Sequence, residues 1–225
     1  LVLADCPEAS WATGTDPAVN SLARRLLGPQ GAAQRSWNLA VSGSRAADLP
    51  RQMGRAVAHR PELVTVMTGA NDACRSSVAA MTPVADFRAS FERALRTLRS
   101  ALPGTQVYVA SVPDLKRLWS QGRGNPLGKQ VWALGVCPSM LGDADAMDER
   151  AVTRRDAVRE RVVAYNRALA EVCAKDAKCR FDGGAVFNYA FTGTQLSQWD
   201  WFHPSLNGQN HLAEMAYRGV TAPNR

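Results

Sequence analysis

The chain has 225 residues, 46% of them hydrophobic and 21% charged, which suits one globular domain with a sizeable core. No apolar run reaches the length of a membrane-spanning helix, and Leu1-Val2-Leu3-Ala4, interrupted by Asp5, is too short for a signal peptide, as in a mature or trimmed form. The net charge of +7 comes largely from scattered arginines, without a nucleic-acid motif or basic residues interleaved with aromatics.

In chain order, Thr15-Asp16-Pro17 reads as a helix start, with Asp16 at the N-cap and Pro17 at the first helical position. Val19, Leu22, Ala23, Leu26 and Leu27 carry the helical period, and Gly28-Pro29 is expected to end it. Ser36 to Val41 reads as a short buried strand broken by Ser42-Gly43-Ser44, and Ala46 to Ala58 as a second helix. Leu63 to Met67 is a continuous apolar strand of the kind found in parallel sheets, followed at once by Thr68-Gly69-Ala70-Asn71-Asp72.

Thr82-Pro83 opens a helix running to about Leu102, and Val107 to Ala110 is another buried strand. Residues 115–148 lack clear periodicity and form a long insertion, of a length that often serves as a lid or wall. A long helix follows from Asp148 to Ala174. Cys179 to Phe181 is a short strand, and a last helix begins after Asp200-Trp201-Phe202-His203-Pro204. The alternation of strand and helix predicts a single-domain α/β sandwich, 1–225, around a parallel sheet. The informative residues fall just after strands, where such sheets form their binding crevice.

The five cysteines contain no Cys-x-x-Cys pair, which argues against a zinc or thioredoxin-type site. Cys173 and Cys179 flank a short polar loop suited to a local disulfide. Cys74 and Cys137 then pair over a longer loop, and Cys6 is left over. Disulfides place a protein outside a reducing cytosol. Arg150, Arg154, Arg155, Arg159 and Arg161 form a basic cluster, read either as a solvated helix face or as attraction to anionic surfaces such as phospholipid headgroups or cell-wall polymers.

Asp200 stands three residues before His203, a spacing that lets a carboxylate hold the imidazole Nδ1–H while Nε2 accepts a proton. Of the other two histidines, His59 ends a predicted helix and His211 lies on the last one; both read as surface or structural residues. Trp119, Trp132, Trp199 and Trp201 are candidates for an aromatic acyl pocket or for core packing.

Three blocks in order, Asn38 to Gly43, Gly69-Ala70-Asn71-Asp72 and Asp200-x-x-His203-Pro204, resemble the SGNH or GDSL-type serine hydrolases over essentially the whole chain. The resemblance implies a three-layer α/β/α sandwich with a flavodoxin-like, mainly parallel sheet. It implies a secreted esterase or lipase without cofactor or metal, in which His203 is the base, Asp200 orients it, and the Gly43 N–H and Asn71 amide form the oxyanion hole. The cysteine placement around Cys74 and Cys137 is similar to the phospholipase B and bacterial lipase branches, which points to lipid or fatty-acyl esters. A carbohydrate acetylesterase and a non-catalytic binding domain on the same fold are the alternatives.

The sequence departs from the family at its Gly-Asp-Ser block, which is absent, as is any Gly-x-Ser-x-Gly elbow. The favoured expectation places the serine upstream of Leu1, because Asp5-Cys6-Pro7 to Gly14 looks like the family stretch that follows that block. The other makes Leu1 to Cys6 the first strand, with Cys6 as nucleophile. Ser42 and Ser44 are recommended only by their proximity to Gly43.

Overall fold

The computed structural model describes residues 5–223. Three parallel strands, β1 (Leu63–Val66), β2 (Gln106–Val109) and β3 (Cys179–Phe181), form one sheet in that order. Ten helices accompany them among the described residues: α1 (Leu22–Arg35), α2 (Leu49–Val57), α3 (Ala70–Ala73), α4 (Val84–Ala101), α5 (Leu115–Gly122), α6 (Pro126–Trp132), α7 (Pro138–Leu141), α8 (Glu149–Cys173), α9 (Ala185–Asn188) and α10 (Leu206–Thr221).

On β2, Val107, Tyr108 and Val109 are all buried. A strand buried at successive positions is covered on both faces, because side chains alternate across the sheet. Tyr108 faces α10, where a Cβ on Gly219 would lie 2.6 Å from its ring. Helices α2, α4 and α8 pack together as one layer, while α1 and α10 contact each other. This is the three-layer α/β/α sandwich. Phe87 of α4 stacks on Tyr165 of α8 at 4.2 Å between ring centroids.

Most expected elements are present, with corrections at the N-terminal third. Helix α1 starts at Leu22 rather than Pro17: Ser21 is its N-cap and accepts from Arg24 N–H, whereas Asp16 closes a turn by accepting from Ala18 N–H. Gly28, at φ +72° and ψ 171°, leaves the helical conformation, so the first helical run ends there as expected, and a second run continues to Arg35. The insertion 115–148 carries α5, α6 and α7 instead of being irregular, each too short for a periodic signal to stand out.

The expected strand 36–41 pairs with no strand among the described residues, and Trp37 and Val41 are exposed. The reason lies beside it. Glu62 and Val66 carbonyls accept from Gln106 and Ala110, so the even positions of β1 face β2. The period of two then aims the N–H and C=O of Leu63, Thr65 and Met67 away from the sheet, and they have no backbone partner among the described residues. They border a groove of about 470 Å³, lined also by Leu22, Leu39, Met53 and Trp37. Residues 36–40 line this groove together with β1. Of the alternative first strand, Leu1 to Ala4 lie outside the described residues, and Asp5 and Cys6 are not strand.

The arginine cluster is not a plain solvated face. Arg155 is fully buried, Arg154 and Arg161 donate to backbone carbonyls, and Arg159 pairs with Asp114 at 2.7 Å. Disulfides join Cys74 to Cys137 and Cys173 to Cys179, and Cys6 belongs to neither. No helix among the described residues is long and apolar enough to cross a membrane.

Candidate active site

The connections after β1 and β3, with the Ser42-Gly43-Ser44 turn ahead of β1, build the site. After β1 the chain turns at Gly69, whose φ of +122° suits glycine and whose absent Cβ would fall 2.7 Å from Val112 Cγ2. The turn starts α3, which carries Asn71 and Asp72. Asn71 donates its side-chain amide to the Ser44 carbonyl at 3.0 Å, and Asp72 accepts the Ala46 N–H at 2.9 Å. These two neighbouring residues grip the Ser42-Gly43-Ser44 turn. Gly43 has φ +75° with open space over its α-carbon, so its backbone is approachable. One N–H of the Asn71 amide is used by Ser44, and the second is left for another acceptor.

Asp200 and His203 come together as the spacing predicts. His203 Nδ1 lies 2.6 Å from Asp200 Oδ2; since a carboxylate only accepts, Nδ1 carries the proton. Asp200 Oδ1 accepts two backbone N–H groups, from Phe202 at 3.0 Å and His203 at 2.9 Å. The Asp200 side chain is 5% exposed and that of His203 61%. Burial pushes the Asp200 carboxyl up, but the hydrogen bond and charge of His203, with those two N–H groups, hold it below its ordinary value. It therefore remains a carboxylate, and Nε2 faces outward with no hydrogen-bond partner among the described residues.

No hydrogen bond among the described residues joins the Asp200–His203 pair to the Gly43–Asn71 pair, and no hydroxyl or thiol reaches His203 Nε2. Ser42 bonds instead to the Asp5 carboxylate. Ser111, buried after β2, is taken up by Asp182 and the Phe187 N–H, and Ser139 by the Ala73 carbonyl. Cys6 is exposed. No group of His, Cys, Asp and Glu side chains suited to a metal exists among the described residues.

The sequence reading missed the supports. Trp132 of α6 donates its indole N–H to the Asp200 carbonyl at 2.6 Å, across 68 residues of chain. Trp201, between Asp200 and His203, adopts φ +52°. Gly122 and Gly128 make room for it, since a Cβ on either would lie within 3 Å of Trp201 atoms. No local pattern marks such partners. Trp119 and Trp132 are core residues, while Trp199 is 80% exposed. His59 stacks on Trp37 at 4.7 Å, and His211 lies beside Tyr189 at 5.4 Å.

A family model described as GDSL-like Lipase/Acylhydrolase matches residues 7–216. No curated protein matches the chain.

Proposed function

Because the chain belongs to the GDSL-like lipase/acylhydrolase family, whose members hydrolyse esters, we propose that it cleaves carboxylic esters through an acyl-enzyme, with His203 as general base and acid. The observation that carries this is the Asp200–His203 pair, with its imidazole Nδ1–H committed to a buried carboxylate and Nε2 open. In the reaction Nε2 takes the proton of an attacking serine hydroxyl. The alkoxide adds to the ester carbonyl, and Asp200 stabilises the imidazolium. The second N–H of Asn71 and the backbone N–H of Gly43 receive the oxyanion. His203 then protonates the departing alcohol, and water releases the acid by the same steps in reverse order of partners.

The nucleophilic serine belongs to a strand, upstream of Leu1, that fills the groove lined by β1 and residues 36–40. What supports this is the row of N–H and C=O groups at Leu63, Thr65 and Met67, which have no backbone partner among the described residues and match a parallel neighbour. A strand running parallel to β1 ends where β1 ends, next to the Gly69 to Asn71 turn. Neither Ser42 nor Ser44 hydrogen-bonds to His203 among the described residues. The substrate is a lipid or fatty-acyl ester and the compartment extracellular; the two disulfides support an oxidising location.

Treating the full-length protein with a fluorophosphonate and mapping the adduct by mass spectrometry tests this. The expected adduct sits on a serine preceding Leu1 and disappears in His203→Ala. Folded protein without any adduct would mean that the domain only binds. Comparing release of long acyl chains with deacetylation of polysaccharide separates the lipid substrate from the carbohydrate one.

A further inference from the structure

Residues 115–148 connect the two halves of the site. Cys137 is bonded to Cys74, three residues after Asn71, and Ser139 donates its N–H to the Arg75 carbonyl and its hydroxyl to the Ala73 carbonyl. After Cys137, the carbonyls of Met140, Asp143 and Ala146 accept from Arg155 of α8, whose guanidinium lies 4.1 Å from the Trp119 ring. The Trp119 indole N–H is taken by the Ala144 carbonyl at 3.0 Å. Five residues before Cys137, Trp132, 3% exposed, holds the Asp200 carbonyl. A segment tied by a disulfide, a buried guanidinium and two indole N–H groups is a fixed brace.

We propose that Trp132 is a positioning residue for the Asp200–His203 pair, acting through its indole N–H on the Asp200 carbonyl. The peptide plane between Asp200 and Trp201 sets two things. It fixes where the Asp200 side chain leaves the backbone, and it leads into the left-handed Trp201, a conformation that bulky residues adopt only when surroundings hold them. The Trp132 N–H fixes one face of that plane. Gly122 and Gly128 admit the Trp201 backbone and ring on the side of the insertion. Without the N–H the Asp200 carbonyl is a buried acceptor with no donor, and rotating the peptide to find one carries Oδ1 and Oδ2 away from the His203 ring and N–H. The pair is thus aimed by a residue whose N–H bonds to the Asp200 backbone and to neither side chain.

The proposal rests on Asp200 and His203 being the working pair, so its readout is taken without substrate. The His203 Nδ1–H in its short hydrogen bond is expected to give a separate low-field proton resonance. Trp132→Phe keeps the ring and removes only the N–H, and is expected to abolish or broaden that resonance. Trp119→Phe removes the other indole N–H of the same segment and is expected to leave it in place. In the full-length protein Trp132→Phe is also expected to lower kcat about tenfold with KM within about twofold, as misaiming a base does. An unchanged resonance in Trp132→Phe, or equal loss in Trp119→Phe, overturns the proposal. If Trp132→Phe does not fold, Gly128→Ala, which presses on Trp201 Cβ, decides: a retained resonance there overturns it too. Loss of the resonance with no esterase activity in the parent protein would instead uphold the brace and remove the ester-hydrolase reading.

Discussion

The carboxylate of Asp72 accepts the backbone N–H of Ala46 at 2.9 Å, and both residues are fully buried. This bond anchors the turn that presents Gly43, and it does so from the residue next to Asn71. Burial raises the Asp72 carboxyl above its ordinary value, and the Ala46 N–H offsets only part of that.

A raised folded-state pKa means that the unfolded chain releases this proton first as pH rises. The contribution of Asp72 to stability is therefore largest in acid and falls as pH climbs through the folded-state value. Asp72→Asn keeps an oxygen for Ala46 and removes the titration. Its denaturation midpoint relative to the parent is expected to improve from about pH 4 to about pH 7, measured by urea unfolding at each pH. Asp200 has the opposite sign: its lowered carboxyl contributes stability above the ordinary carboxylate value and loses it as pH falls through the folded-state pKa. Asp200→Asn is thus expected to lose most relative to the parent at neutral pH and least in strong acid.

On the proposed mechanism, in a protein that carries the upstream serine, Asn71→Ala would remove one oxyanion donor and is expected to lower kcat by about 10²–10³ with little change in KM. Asp200→Asn is expected to cost about 10⁴, because an amide leaves the imidazole in the wrong tautomer. Steady-state hydrolysis of a chromogenic ester separates the two. Equal, small effects would place the chemistry elsewhere.

Amide exchange reads the groove directly. In the 225-residue chain Val64 and Val66 N–H groups face β2 and are expected to exchange slowly, whereas Thr65 N–H faces the groove and exchanges fast. In full-length protein Thr65 is expected to become as protected as its neighbours. Fast exchange there in both forms would leave the groove without a strand.

The two disulfides close loops of different length, with sequence separations of 63 and 6 residues. Chain-entropy scaling makes the Cys74–Cys137 bond worth about 4 kcal/mol and the Cys173–Cys179 bond about 2 kcal/mol. Paired serine replacements are expected to lower stability in that order in denaturant titrations. Only the Cys74/Cys137 pair is expected to reduce activity as well, since it joins α3 to the insertion.

Periodicity located α4 and α8, and an apolar run located β2, each within a residue or two, because the pattern lies in the element's own side chains. The Asp200–His203 pair was equally legible, being closed by a three-residue span of backbone. Residues 36–41 show the limit. Their apolar run satisfies a strand pattern, yet a strand exists only when a neighbour takes its hydrogen bonds, and β1 lines the same groove without pairing with them. What the amino-acid sequence determined alone is the fold class, the family blocks and the local acid–imidazole pair. Only the tertiary structure decided that Asp72 holds the Gly43 turn, that Trp132 holds Asp200, and that Arg155 is buried rather than solvated, because each depends on contacts between segments far apart in the chain, where no period or spacing records which donor meets which acceptor.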